Sequence, residues 1–234
     1  MKENENNSDS DYEFLSDFDS KSDYRFKIVL IGNSGVGKTC LVNRAKKNIF
    51  LLDEKSTLGI EFYNINVGIH DKIINLQVWD TCGQEQYKAI TKNYYAKTSL
   101  AIIIYDISSS KSFNDLKEWI QDLKRNTNPN IHMYLVGNKN DVNEREVKKE
   151  IAESYSKKEG FINYIETSAE SGENCKQLFI QIAKFLYEDL NKNQSNEKNN
   201  ELKKRDNQKS NQNIKLGKEK EQDKNNGGGC CIII

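Results

Sequence analysis

A glycine-rich stretch, residues 32–39, constrains the fold of this chain more than any other feature. It reads GNSGVGKT and matches the pattern G-x-x-x-x-G-K-[ST]. The apolar run Phe26–Ile31 before it predicts a buried strand, and Cys40–Ala45 after it predicts the start of a helix. A glycine-rich turn between a strand and a helix points backbone N–H groups at an anion, beside the positive end of the helix dipole. The stretch therefore predicts a phosphate-binding loop.

Two side chains at the end of this loop carry specific chemistry. Lys38 brings a full positive charge to the outer phosphates, and the Thr39 hydroxyl is placed to ligate Mg²⁺. The alternative is a strand-to-helix turn that binds nothing. The flanking strand and helix favour the phosphate loop.

The composition divides the chain into one domain with tails. Residues 1–24 hold eight acidic residues against two lysines, a net charge of −6, and have too few apolar residues to bury, which predicts a disordered acidic extension. Residues 25–190 are long enough for one well-packed domain. Residues 191–229 are rich in Asn and Lys and predict a disordered linker, which leaves residues 230–234 as a separate apolar end.

The cysteines and the apolar runs bear on the compartment. None of the five cysteines has metal-ligand spacing with a second pair, and no N-terminal apolar leader is visible, so a reducing cytosol is expected. No window approaches the roughly 18 apolar residues that a membrane span needs. Any membrane contact is expected to come by another route.

Strand and helix patterns alternate along residues 25–190. Two alternating runs, Glu61–Ile69 and Ile73–Asp80, predict a hairpin, and the continuously apolar run Leu100–Tyr105 predicts a strand covered on both faces. Further strands are predicted at His132–Val136 and Phe161–Ile165. Helices are predicted around residues 113–123, 147–158 and 175–190. The expected fold is an α/β P-loop NTPase fold: a doubly wound, mostly parallel, six-stranded sheet with helices on both faces.

The loop after the second strand of the hairpin adds candidates for catalysis. Asp80 can hold Mg²⁺ through its water shell, and Gly83 can offer its N–H to a terminal phosphate without steric hindrance. Gln84 follows, and its amide can both accept from and donate to an attacking water. An ordinary strand-end turn is the alternative for Asp80.

Two later loops predict which base is bound. The stretch 138–141 reads NKND, and the Asp141 carboxylate offers two acceptors that suit the N1–H and the exocyclic amine of guanine. Adenine presents an acceptor at N1 and would leave that carboxylate unsatisfied, a penalty of roughly 1–3 kcal/mol or more. The stretch 166–169 reads ETSA and can bond the guanine carbonyl through its backbone. An ATP-dependent enzyme on the same phosphate loop is the disfavoured alternative.

With these motifs in hand, residues 25–190 resemble the Ras-like small GTPases, and most closely the Rab family. The stretches LGIEF at 58–62, LQVW at 76–79, YKAIT at 87–91 and YY at 94–95 are similar to Rab switch-region signatures. The resemblance implies Mg²⁺ on Thr39, Thr57 and Asp80, and catalysis by Gln84 and Lys38. It implies nucleotide contacts from Ser34, Gly35, Val36, Gly37, Lys38, Thr39, Cys40, Phe50, Thr57, Gly83, Asn138, Lys139, Asp141, Ser168, Ala169 and Glu170.

The resemblance also implies surfaces for other molecules. Phe62, Trp79 and Tyr94 match an aromatic trio that Rab proteins present to effectors, although core packing is the alternative for these three residues. Cys230 and Cys231 resemble the Rab arrangement that receives two geranylgeranyl groups, and CIII at 231–234 also fits the C-a-a-X form. Two lipid chains anchor a protein stably to a membrane, whereas one lipid chain binds only marginally.

The expected function is that of a Rab-like switch that binds GTP or GDP with Mg²⁺, hydrolyses GTP slowly and regulates vesicle trafficking. The implied partners are an exchange factor, a GTPase-activating protein, a Rab escort protein with geranylgeranyl transferase, a GDP dissociation inhibitor and effectors, with no nucleic acid. The expected location is the cytoplasmic face of an intracellular membrane, with a soluble cytosolic pool.

One position departs from the family pattern. Cys82 stands where the family usually has alanine. One interpretation is that its thiol, beside the γ-phosphate site, slows hydrolysis and leaves a GTP-binding scaffold. The other is that Cys82 is simply a small buried residue that fits the space. The latter is favoured. A Ras-type growth signal with a single prenyl chain is the remaining alternative within the superfamily.

Overall fold

The computed structural model describes residues 12–15, 21–51, 57, 59–83 and 94–195. The described residues fall into two units, one ending at Leu186 and the other beginning at Tyr187. The first unit contains the sheet. In the second, residues 187–195 are helical, and Asn193 Nδ2 donates to Asp189 Oδ2 at 3.1 Å. The predicted boundaries at residues 24, 190 and 229 stay predictions.

One seven-stranded sheet organises the described part of the first unit, with the strand order β1-β3-β4-β2-β5-β6-β7. The strands are β1 Tyr12–Leu15, β2 Tyr24–Ile31, β3 Ile60–Ile69, β4 Lys72–Thr81, β5 Leu100–Asp106, β6 His132–Asn138 and β7 Asn163–Thr167. The β1·β3 and β3·β4 pairs are antiparallel. All other pairs are parallel, which confirms the predicted mostly parallel doubly wound sheet.

In the described residues, helices follow four of the strands: α1 Lys38–Lys47 after β2, α2 Ser110–Asn114 and α3 Leu116–Asn126 after β5, α4 Lys149–Glu159 after β6 and α5 at residues 175–186 after β7. Every residue of β5 is buried, as its continuously apolar sequence predicts. One side of the sheet packs against α3 and α4 around the buried Trp119. None of the helices in the described residues is long and apolar enough to span a membrane.

Three element boundaries differ from those predicted. The helix expected around 113–123 is interrupted at Asp115, between α2 and α3. Helix α4 begins two residues after Val147, because the Val147 N–H donates to Ile107 O at 3.0 Å and its side chain is buried in the core. Strand β7 begins at Asn163 rather than Phe161 because the Phe161 N–H closes the end of α4 by donating to Ser156 O.

The main correction concerns the N-terminal extension. Residues Tyr12–Leu15 were expected to be disordered and instead form β1, so the sheet has seven strands rather than six. They pair with Asn66–Ile69 at the edge of β3. On α5, Lys176 Nζ lies 5.7 Å from the Phe14 ring centroid and Lys184 Nζ 4.8 Å from that of Tyr12. Tertiary contacts with a sheet edge and with two cations therefore order a segment that low hydrophobicity alone predicts to be unfolded.

Deletion of residues 1–20 is expected to speed amide hydrogen exchange at Asn66–Ile69 by at least about tenfold, because the β3 edge loses its partner strand. Exchange in β7, at the opposite edge of the sheet, serves as the internal control and is expected to stay unchanged. Unchanged exchange at Asn66–Ile69 would show that β1 does not protect the edge.

Candidate nucleotide-binding site

The carboxyl ends of five parallel strands meet at one edge of the sheet, and a cavity of about 340 Å³ opens there. Most of the residues predicted to touch the nucleotide line this cavity. They are Ser34, Gly35, Gly37, Lys38, Thr39, Cys40, Phe50, Thr57, Gly83, Asn138, Lys139, Asp141, Ala169 and Glu170. The lining also contains Leu51, Cys82 and Val142. Leu51 and Val142 were not predicted, although each directly follows a predicted residue and adds apolar surface.

The phosphate loop joins β2 to α1, as its flanking patterns predict. Gly37 precedes the helix with φ 89°, a left-handed conformation that favours glycine. A Cβ at this position would lie 2.4 Å from Nδ2 of Asn138. Gly37 therefore permits both the turn into α1 and the close approach of the base-binding loop.

Lys38 points back into the loop and is 6% exposed. Its Nζ donates to Gly32 O and to Asn33 O, both at 2.9 Å. Burial lowers the pKa of Lys38 to about 8, and the nearby Asp80 carboxylate and Cys82 thiol offset this only in part. An anion bound in the cavity would stabilise the charged form of this buried lysine, which fits the predicted phosphate contact.

Three oxygen ligands predicted for Mg²⁺ lie together. The Thr39 hydroxyl donates to Asp80 Oδ2 at 2.5 Å, and the Thr57 and Thr39 hydroxyl oxygens are 2.7 Å apart. Asp80 and Thr39 are buried. One carboxylate and two hydroxyls suit Mg²⁺, which prefers oxygen ligands and completes its shell with waters and substrate phosphates. The residues present therefore fit this ion.

The loop after β4 comes directly against the phosphate loop. A Cβ on Gly83 would lie 2.4 Å from Lys38 Nζ and 2.5 Å from Asn33 O, so a side chain here would force the loops apart. Cys82 is 2% exposed, and its N–H donates to Gly59 O at 3.0 Å. This burial agrees with the interpretation of Cys82 as a small residue that fits. Gln84, Cys230 and Cys231 lie outside the described residues.

Asn138 joins the phosphate loop to the base-binding loops. Its Nδ2 donates to Val36 O at 2.9 Å, and its Oδ1 accepts from the Thr167 hydroxyl at 3.0 Å. The residue is 1% exposed. Within the structure Asn138 thus acts as a brace between three loops, and Val36 contributes to the site through this bond.

Asp141 is exposed at the cavity, where its carboxylate can receive a base. The Ser168 hydroxyl donates to Asp141 Oδ1 and accepts from the Ser171 N–H at 2.9 Å. Ser168 is fully buried. It therefore orients Asp141 from behind instead of lining the cavity.

An ion pair that the sequence did not predict braces the same two loops. Arg145 forms two hydrogen bonds with the Glu166 carboxylate, at 2.7 and 2.8 Å, and donates to Asn140 Oδ1 at 3.1 Å. Burial raises the pKa of Glu166, but bonds from Arg145 and Tyr164 outweigh it, so the net shift is downward. Glu166 is thus held ionised beside the loop that carries Asp141.

Lys139 takes the left-handed conformation with φ 68°, and its Nζ lies 2.6 Å from Asp106 Oδ2. Asp106 ends β5 and is buried. Burial raises the pKa of Asp106, but hydrogen bonds from Lys139 and Ser108 lower it by more. The pair fixes the Lys139 side chain at the cavity wall.

The aromatic trio predicted as an effector surface is contiguous. Phe62 and Trp79 are paired across β3 and β4, and their ring centroids are 5.1 Å apart. Tyr94 lies 5.4 Å from Trp79 by the same measure. Phe62 is 46% exposed, and Trp79 and Tyr94 are partly exposed. The three rings therefore form one contiguous and partly exposed cluster, and its role as an effector surface stays a prediction.

Comparisons with known proteins agree with this geometry. The model of the Ras family matches residues 27–188. The chain is 42% identical over 175 residues to Ras-related protein YPTC6 of Chlamydomonas reinhardtii, which covers 74% of this chain and 81% of the relative. It is 41% identical over 175 residues to Ras-related protein RABA1c of Arabidopsis thaliana, with the same coverage. It is 40% identical over 177 residues to Ras-related protein Rab11A of Lotus japonicus, covering 75% and 78%.

Proposed function

Because the chain belongs to the Rab branch of the Ras-like small GTPases, and so hydrolyses GTP, we propose that it is a membrane-tethered switch in intracellular vesicle trafficking. The observation that carries the proposal is the shared cavity. It joins Lys38, the oxygen cluster of Thr39 and Thr57, and the base-binding carboxylate of Asp141. A guanine nucleotide needs these three kinds of group at once.

In this proposal the loops divide the work between phosphate and base. Lys38 and the amides of the phosphate loop hold the phosphates, and Asp141 receives the base. Bound Mg²⁺ supplies charge neutralisation at the outer phosphates. Gln84 orients the attacking water. The mutual contacts of Asn138, Ser168 and Arg145 keep the loops in place before the nucleotide arrives.

The nucleotide controls two segments that adjoin the aromatic trio. Thr57 and Gly83 both line the cavity, and the Cys82 N–H donates to the carbonyl oxygen of Gly59, two positions after Thr57 in the sequence. GTP holds both segments through its terminal phosphate, and hydrolysis releases them. Partners that bind the surface of Phe62, Trp79 and Tyr94 therefore bind only one of the two nucleotide states. The partners expected are effectors, an exchange factor and an activating protein that supplies an arginine.

The membrane attachment rests on the C-terminal cysteines. We propose geranylgeranyl groups on Cys230 and Cys231, added with a Rab escort protein, and extraction by a GDP dissociation inhibitor. This places the protein on the cytoplasmic face of an intracellular membrane, with a soluble pool. The intact mass of the protein purified from eukaryotic cells distinguishes this arrangement, with two added prenyl groups, from a Ras-type anchor with one.

The Gln84→Leu variant is expected to hydrolyse bound GTP at least about tenfold more slowly in single turnover with an activating protein present, because leucine cannot orient water. GTP affinity is expected to stay near that of the wild type, since Gln84 acts on the water. Gln177→Leu, an exposed position on α5, makes the same chemical change away from the cavity and serves as the control. Equal hydrolysis rates in Gln84→Leu and wild type would remove Gln84 from the mechanism.

A further inference from the structure

The side chain of Asn33, in the phosphate loop, is turned towards α3. Its Nδ2 donates to Asp115 Oδ2 at 2.7 Å, and its Oδ1 accepts from Trp119 Nε1 at 2.7 Å. The indole can only donate and the carboxylate can only accept, so these partners fix which end of the amide faces which. Both ends of the Asn33 amide are thus committed to contacts with residues 82 and 86 positions away in sequence.

The two partners of Asn33 are themselves firmly placed. Trp119 is 1% exposed and belongs to the hydrophobic core on one side of the sheet. Asp115 stands at the junction of α2 and α3, and its side chain makes no capping bond to α3. Its carboxylate is therefore available to Asn33, and the pair forms a fixed anchor outside the cavity.

The main chain of Asn33 faces the other way, towards the phosphate site. Its carbonyl oxygen accepts from Lys38 Nζ at 2.9 Å. The same carbonyl is so close to Gly83 that a Cβ there would lie 2.5 Å from it. One residue therefore touches the lysine that holds the phosphates and the glycine proposed to contact the terminal phosphate.

From these contacts we propose that Asn33 is a positioning residue for the terminal phosphate: its side chain, clamped by Asp115 and Trp119, sets the carbonyl against which Lys38 and Gly83 are placed. The inference rests on the proposed GTP site and adds a connection from that site to α3. The clamp requires at least one amide at positions 33 and 115, because two carboxylates have no N–H to donate. An aspartate at position 33 would place two carboxylates at hydrogen-bond distance and push the loop away from α3.

The test is a charge swap with four proteins: wild type, Asn33→Asp, Asp115→Asn and the double variant. In the double variant the new amide at position 115 donates to the new carboxylate at position 33. Trp119 still donates to the other oxygen of that carboxylate, so the clamp is rebuilt with its polarity exchanged. Asp115→Asn alone keeps an amide-to-amide bond and is the matched control. The measurements are GTP and GDP dissociation constants with fluorescent analogues, single-turnover GTP hydrolysis and thermal stability.

Asn33→Asp is expected to weaken GTP binding about tenfold and GDP binding by less, because Gly83 faces only the terminal phosphate. The double variant is expected to recover GTP affinity to within about threefold of wild type. Loss of stability with an unchanged ratio of GTP to GDP affinity would reduce Asn33 to a structural role. The proposal is overturned if Asn33→Asp binds GTP as wild type does, or if the double variant is no better than Asn33→Asp. Failure of the wild type itself to bind GTP would instead overturn the proposed function.

Discussion

Replacing Asp141 with asparagine is expected to weaken GTP binding at least about a hundredfold, since two bonds from guanine to a carboxylate are lost or reversed. Asp141 lines the cavity, and the Ser168 hydroxyl donates to one oxygen of its carboxylate. Asparagine keeps one acceptor, its carbonyl oxygen. Its side-chain NH₂ replaces the second carboxylate oxygen and faces the exocyclic amine of guanine, which needs an acceptor. Two donors then face each other.

The same substitution is expected to transfer specificity to xanthosine triphosphate. Xanthine keeps N1–H and carries a carbonyl in place of the exocyclic amine, which complements an asparagine amide atom for atom. The measurement is competition of both nucleotides for wild type and variant. Glu144→Gln, an exposed residue of the same loop region, removes the same charge and is expected to change neither affinity. Retained GTP preference in Asp141→Asn would mean that another group reads the base.

Replacing Lys38 with methionine is expected to lower GTP affinity by about 3 kcal/mol or more, roughly a hundredfold, because a buried cation is removed from its anion. Methionine keeps much of the length of the side chain but cannot bond Gly32 O and Asn33 O. Burial lowers the pKa of Lys38 to about 8, so removing its charge offsets part of the cost of the two lost hydrogen bonds in the nucleotide-free protein.

Affinity is measured by titration with fluorescent GTP, and stability by thermal unfolding without nucleotide. Lys47→Met, at the last residue of α1, makes the same change at an exposed position outside the cavity. It is expected to bind GTP as wild type does. Near-normal GTP affinity in Lys38→Met would contradict the assignment of Lys38 to the phosphates.

Much of the fold could be predicted because its strands are either continuously apolar or alternating runs, followed by turn-forming motifs. The hairpin of β3 and β4, the buried β5 and the helix after the phosphate loop all occur near the predicted residues. The interruption at Asp115 could not be predicted from hydrophobic spacing, because Phe113 and Leu116 fit one continuous helix. Strand β1 was missed because its order comes from the β3 edge and α5, which are distant in sequence.

The candidate site was predictable where a motif carries the chemistry within a few residues. Lys38, Thr39 and Asp141 belong to such motifs, and the structure brings them to one cavity. The braces behind them were not predictable. Arg145 supports Glu166 across the two base-binding loops, and Asn33 reaches α3, and no local pattern marks either pair.

The central claim, a guanine-nucleotide switch, is tested most directly by the nucleotide that the protein carries. The protein is purified in Mg²⁺, its ligand is released by heat and identified, and the emptied protein is titrated with GTP, GDP and ATP. We expect GDP or GTP in the released fraction and ATP binding weaker by at least about a hundredfold, because adenine offers no N1–H to the Asp141 carboxylate. Recovered ATP, or no nucleotide from folded protein, would contradict the claim.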